Sequence, residues 1–134
     1  EGTLTIENGG RVNSNTAVVG FGDHNSHSHV IVDGFAAGDS QPSLWAVAGD
    51  LTGEDGGWID VQNGAQLAVN QDLYLKGADL KLYPSEGSQG ATHLEVLGDL
   101  VIGGGTSGSV FGLYSGASPS SLTRTQAWIS GNLL

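Results

Sequence analysis

The sequence predicts an all-β chain folded as a right-handed parallel β-helix, and three observations carry that prediction. One motif occurs twice: Leu4-Thr-Ile-Glu-Asn-Gly-Gly-Arg-Val12 is echoed by Ile59-Asp-Val-Gln-Asn-Gly-Ala-Gln-Leu67. Its apolar positions match in register, Leu4 with Ile59, Ile6 with Val61 and Val12 with Leu67, and beyond it Val18 matches Leu73. A Gly-Asp-Leu phrase recurs at Gly49-Asp50-Leu51 and Gly98-Asp99-Leu100, with relatives at Gln71-Asp72-Leu73 and Gly131-Asn132-Leu133. Its leucines, Leu51, Leu73, Leu100 and Leu133, stand at widening intervals. Helical periodicity is absent, since glycine interrupts almost every window that would need an i, i+3, i+4, i+7 apolar stripe. Self-similarity with irregular spacing fits constant strands joined by loops of variable length, which a stacked repeat tolerates because each repeat touches only its neighbours.

Taken in order, the alternating runs are Thr3–Ile6, Ala17–Phe21, His29–Asp33, Leu44–Leu51, Trp58–Val61 and Gln66–Val69. Then come Asp72–Lys76, Leu80–Tyr83, His93–Leu97, Leu100–Ile102, Ser109–Tyr114 and Ala127–Ser130. Each alternates apolar and polar residues, so each reads as a strand with one buried face, and Asn-Gly, Asp-Gly, Gly-Gly and Gly-Asp punctuate them as turns. With a coil of about 22 residues the single domain 1–134 forms about six coils, a stack about 30 Å tall at the usual strand spacing. The alternative is an antiparallel β-sandwich in which Asn-Gly marks ordinary hairpins.

Composition narrows the function classes. The 134 residues hold 23 glycines, 14 acidic and 4 basic residues, for a formal net charge of −10. That balance argues against nucleic acid or an anionic membrane as a partner, because both require a basic footprint. The lack of cysteine excludes disulfides, thiolate metal sites and cysteine nucleophiles. No run approaches the roughly 18 consecutive apolar residues of a membrane span, so no membrane insertion is expected.

The succession Leu4-Thr-Ile-Glu-Asn-Gly-Gly-Arg-Val, Ala17-Val-Val-Gly-Phe-Gly, Val30-Ile-Val-Asp-Gly and Trp45-Ala-Val-Ala-Gly-Asp-Leu resembles the repeats of autotransporter passenger domains, and similar repeats occur in other large bacterial surface proteins. Residues 77–92 and 103–126 fit least well. The resemblance implies a parallel β-helix displayed outside the cell or on the bacterial surface, with an adhesive or stalk-like role. It implies no catalytic residues.

Four groups of residues invite chemistry. Three of the four histidines, His24, His27 and His29, lie within six residues, and imidazole is a good ligand for zinc, copper or nickel. In an extended segment His27 and His29 share a face, with Asp23 or His93 to complete a set. The plainer reading, a polar loop entering the strand at Val30, is preferred, and no metal is expected. The acidic turns Glu54-Asp55-Gly56-Gly57, Asp33-Gly34 and Gly38-Asp39 suggest calcium, but the Gly-Gly-x-Gly-x-Asp nonapeptide is missing and Gly103-Gly104-Gly105-Thr106 has no aspartate. These carboxylates read as solvated turn residues. Asp50 and Asp99 would approach one another if their phrases align, as a glycosidase pair must. Asn132 replaces aspartate in the third copy, which suits a turn better than a catalytic ladder. Serines cluster at Ser115–Ser121, without a nucleophile elbow. No catalytic residue and no cofactor are expected. Trp45, Trp58, Tyr74, Tyr83, Tyr114 and Trp128 are either packing residues or a platform for sugars.

Repeat sequence is under way at residue 4 and still running at residue 134, with no polar cap at either side. Leu4, Ile6, Trp128, Ile129, Leu133 and Leu134 are therefore expected at self-association surfaces. Their partner would be flanking repeats of the same chain or another copy stacked end to end. A host or matrix glycan or protein is the further partner an adhesin would have. The expected function is thus a non-enzymatic extracellular β-helix, part of an adhesin or stalk. The alternatives are a protomer of a head-to-tail filament and a β-helix that binds or cleaves polysaccharide.

Overall fold

The structure is a computed structural model that describes residues 2–22, 25, 27–37, 41–85, 90–114 and 125–134. The described residues are all-β and contain no helix. Among them, fourteen strands form three sheets. The first holds β1 (Gly2–Ile6), β4 (Ser28–Asp33), β7 (Gly57–Gln62), β10 (Asp79–Leu82) and β13 (Val110–Leu113). The second holds β2 (Arg11–Ser14), β5 (Leu44–Val47), β8 (Gln66–Val69), β11 (Thr92–Val96) and β14 (Thr125–Ile129). The third holds β3 (Ala17–Val19), β6 (Leu51–Glu54), β9 (Leu73–Lys76) and β12 (Leu100–Ile102). In each sheet a strand pairs with the one three places later in the chain, so the backbone visits the three sheets in turn and then returns to the first.

Among the described residues every strand pairing is parallel; the lone antiparallel contact is a bridge from Phe35 to Pro42 inside a loop. This departs from the antiparallel sandwich, and the reason lies in the Asn-Gly turns. Asn8-Gly9 and Asn63-Gly64 have the positive φ pair of a primed turn, 56° and 76° in one and 55° and 84° in the other. Gly10 N–H donates to Glu7 O at 2.9 Å, and Ala65 N–H to Gln62 O at 3.1 Å. Such turns usually close hairpins. Here each is a corner, passing the chain from the first sheet to the second.

The register places like residues in columns. Leu4, Val30, Ile59, Leu80 and Phe111 share one inward column of the first sheet, and Ile6, Val32, Val61, Leu82 and Leu113 share the next. Val12, Trp45, Leu67, Leu94 and Ala127 form a column of the second sheet. Ala17, Leu51, Leu73 and Leu100 form one of the third, extended by a bridge to Leu133. All three sheets feed one apolar core. Each Leu or Ile withdrawn from water there contributes about 1.5–3 kcal/mol. Outward positions alternate with inward ones, so each strand buries a single face.

Two sequence readings change at the corners. Leu44–Leu51 reads as one run but is two strands, β5 and β6, in different sheets; Ala48-Gly49-Asp50 turns between them while preserving the alternation. The match of Val18 to Leu73 is one residue out: Leu73 pairs with Leu51, which pairs with Ala17, whereas Val18 lies in line with Thr52 and Tyr74. Two residues separate Ser14 from Ala17, but three separate Val69 from Leu73. In a strand a one-residue slip reverses the face, and Val18 accordingly points to solvent. Among the described residues no sheet holds more than five strands, against the about six coils that the repeat length suggests.

Candidate functional site: the outer face of the first sheet

Pairing of β4, β7, β10 and β13 sets three outward columns side by side. His29, Trp58, Asp79 and Val110 form the first, and Ile31, Asp60, Lys81 and Gly112 the second. Beyond them, Asp33 pairs with Gln62, and the backbone N–H groups of Tyr83 and Tyr114 bond to Val61 O and Leu82 O, which continues a third column. Columns two residues apart along a strand are about 7 Å apart. The face therefore has a middle strip of Ile31, Asp60, Lys81 and Gly112, with Trp58 on one side and the tyrosines on the other.

Trp58 is 43 % exposed although it sits in the middle of the sheet. Two imidazoles meet it edge to face: His27 at 5.1 Å between centroids and 68°, His29 at 5.9 Å and 90°. His29 Nε2 contacts Asp60 Oδ2 at 2.7 Å, which ties the first column to the second. Lys81 Nζ pairs with Asp79 at 3.3 Å, and that bond raises the lysine pKa above its ordinary value. Tyr83 and Tyr114 stack at 4.9 Å and 10°, and the Tyr114 ring lies over Gly112, where a larger residue would displace it. Burial, followed by the charge of Asp60, raises the Tyr83 pKa. The histidine segment thus forms part of an aromatic and acidic surface. His24 and Asp23 lie outside the described residues. Among those described, no three His, Asp or Glu side chains gather as a metal ion would require.

The other aromatics divide between the two readings. Trp45 is a core residue at 3 % exposed, its Nε1–H donating to Ser14 Oγ at 3.2 Å. Trp128 is 64 % exposed on the second sheet. Tyr74 donates its hydroxyl to Asp72 Oδ2 at 2.9 Å, and Lys76 Nζ lies 5.2 Å from its ring centroid. The bond to Asp72, with desolvation and the charges of Asp50 and Asp99 adding to it, raises the Tyr74 pKa.

The aspartates of the Gly-Asp-Leu phrases do align, with Asp72 between the two that the sequence singled out. Asp50 Oδ1 accepts the Asp72 N–H at 3.0 Å, Asp72 Oδ1 accepts the Asp99 N–H at 2.8 Å, and Asp99 Oδ1 accepts the Asn132 N–H at 2.7 Å. Each carboxylate thus holds the backbone of the next strand return. Gly98 precedes Asp99 because a Cβ there would occupy the place of the Asp72 carboxylate.

Asp55 corrects the reading of the acidic turns as solvated. It is 4 % exposed. Its Oδ2 accepts the Thr106 N–H at 2.9 Å and the Thr106 hydroxyl at 2.7 Å; its Oδ1 accepts the Ser107 N–H at 2.8 Å and the Ser107 hydroxyl. The side-chain bond from Ser107, then those from Thr106, hold its carboxyl well below the usual carboxylate range. The carboxylate reaches that loop past Gly77, whose missing Cβ leaves it space. The glycine-rich loop without an aspartate of its own therefore receives one from a distant part of the chain. It presents donors, where a calcium site would present oxygens. Asp33 is also engaged, accepting from Asn63 Nδ2 at 2.7 Å, while Gly38-Asp39 and Ser115–Ser121 lie outside the described residues.

Of the residues expected at the ends, Leu4, Trp128, Leu133 and Leu134 are exposed. Ile129 packs partly against the core, and Ile6 is buried at 3 % exposed, so its side chain belongs to the interior. β1, β2 and β3 are the outermost strands of their sheets on one side, and β13, β14 and β12 on the other. Residues 132–134 run along β12, with Leu134 N–H bonding to Leu100 O at 2.8 Å. Compared with protein-family models, with curated proteins and with solved structures, the chain matches none.

Proposed function

We propose that this chain is a right-handed parallel β-helix serving as a non-enzymatic segment of a bacterial surface protein, a stalk or adhesive passenger displayed outside the cell. The observation that carries the reading is the pairing of every strand with the one three places later, across three parallel sheets around a single core. Strand crossovers between parallel neighbours are overwhelmingly right-handed, which supports the hand. The resemblance of Leu4–Val12, Ala17–Gly22 and Trp45–Leu51 to autotransporter repeats supports the location. Against catalysis stands the use of Asp50, Asp72 and Asp99, whose carboxylates are engaged with backbone amides.

A second reading, a protomer that stacks head to tail into a filament, is favoured by the exposed Leu4 and Val18 on one side and Leu133 and Leu134 on the other. Labelling of intact source cells with an antibody to the chain tests the first reading: surface label is expected, and signal confined to lysed cells overturns it. Negative-stain electron microscopy of the purified chain separates the two. Ordered fibres establish the filament, and particles that stay monomeric at high concentration remove it.

A further inference from the structure

The outer face of the first sheet combines features that a scaffold does not need. An indole stands 43 % exposed at mid-sheet, where packing would have hidden it or solvent would have favoured a polar residue. The imidazoles of His27 and His29 meet it in T-shaped contacts and still leave the indole 43 % open to solvent. Next to it are carboxylates fixed by partners: Asp60 by His29 and Asp79 by Lys81. Across the strip, Tyr83 and Tyr114 hold each other as a stacked pair. From Trp58 to Tyr83 is four residues along the strand direction and one strand across, about 14 Å.

Rings that face solvent, with oriented hydrogen-bond acceptors set between them, match a chain of pyranose units. The apolar C–H face of a sugar lies on an aromatic ring, and its equatorial hydroxyls donate to carboxylates. A protein partner would call for a larger contiguous apolar patch, whereas Asp60 and Lys81 break this one. Charge selects among glycans. Asp33, Asp60 and Asp79 outnumber Lys81 on the face, and the whole chain carries −10, so a uronate or sulfated chain is repelled. Amino groups are tolerated, because a cation over Trp58 gains from the ring as well as from Asp60.

We infer that this face, from Trp58 across Asp60 and Lys81 to Tyr83 and Tyr114, binds an extended non-acidic glycan, a hexosamine chain spanning the two aromatic groups. The site would give the scaffold a ligand. It does not depend on where the protein is displayed, so the labelling and microscopy outcomes above leave it standing or falling on its own.

The test is titration of the full chain with the tetrasaccharides of glucosamine, N-acetylglucosamine and galacturonic acid, followed by calorimetry and by the indole N–H signals of the three tryptophans. Binding of at least one of the first two, with the Trp58 signal shifting and galacturonate at least tenfold weaker, is expected. Trp58→Ala should weaken it at least tenfold. Tyr114→Ser, a change at an exposed position, should weaken it severalfold and serves if Trp58→Ala unfolds. Trp128→Ala, on another sheet, should change nothing. No binding by either sugar, preferred binding of galacturonate, or loss on Trp128→Ala with Trp58→Ala silent overturns the proposal.

Discussion

Replacing Asp55 by asparagine keeps the shape of the side chain and removes the charge that Thr106 and Ser107 solvate with four donors. An amide offers one acceptor atom and two donors, so the backbone N–H that faces its NH2 group loses its acceptor and the hydroxyl there must turn to accept instead. The folded-state pKa of Asp55 is depressed. Its contribution to stability is therefore complete above the unfolded carboxyl pKa, about 3.9, and is lost as pH falls below that value toward the folded one. Urea midpoints of wild type and Asp55→Asn should differ most at neutral pH and converge below about pH 4. A constant difference across that range would show that the charge contributes nothing. Little of this is legible in the sequence. Glu54-Asp55-Gly56-Gly57 reads as any acidic turn, and the donors arrive from far along the chain through a gap that only Gly77 leaves open. His27, His29 and Trp58 meet the same obstacle: alternation puts two histidines on one face, but only the register sets an indole opposite His29 and within reach of both rings.

At the level of elements, the Gly-Asp-Leu corner is the most readable part of the chain, since the leucine and the aspartate have separate jobs at fixed positions. Leu73 fills the third-sheet column between Leu51 and Leu100 and is fully buried. Leu73→Ala should cost about 2–5 kcal/mol in urea denaturation, the usual range for a buried leucine truncated to a cavity. Asp72→Ala removes the acceptor for both the Asp99 N–H and the Tyr74 hydroxyl and should cost about 1–3 kcal/mol. Asp72→Asn should recover most of that loss, because an amide oxygen can still accept from the backbone. If the asparagine variant is as unstable as the alanine one, charge rather than hydrogen bonding holds the corner. Corner length is what the repeat pattern hides. Asn15-Thr16 and Asn70-Gln71-Asp72 occupy the same place with two and three residues, which shifts Val18 out of line with Leu73.

For the whole molecule, the parallel arrangement follows from the way like residues recur at unlike intervals. The alternating runs determine which residues face the core, and the recurring leucines determine which of them lie above one another. The number of circuits is not readable, because the inserted loops carry no strand pattern to count. The sheets have no paired neighbour beyond β1, β2 and β3 among the described residues, so their edge amides and carbonyls are open to another strand. Association through these edges has to overcome a shared charge of −10. Sedimentation of the purified chain should therefore shift toward larger species as sodium chloride rises from about 20 mM to about 500 mM, as screening shortens the reach of that repulsion. A distribution independent of salt would place the contact on uncharged surfaces alone.

The aspartate column has a consequence for how such a chain can change. Each carboxylate grips the amide one return ahead, so the returns that reach Asp72, Asp99 and Asn132 are re-zeroed at the same mark whatever came between. An insertion after β6 or β9 is forgotten by the time the next aspartate docks. Loop length is thereby uncoupled from threading, and a lineage carrying this fold can lengthen, shorten or exchange its outer segments without disturbing its interior. Asn132, the last of the series, is held by Asp99 through its backbone N–H and donates a second bond from its own side-chain Nδ2, so the mark accepts an asparagine that adds no further negative charge.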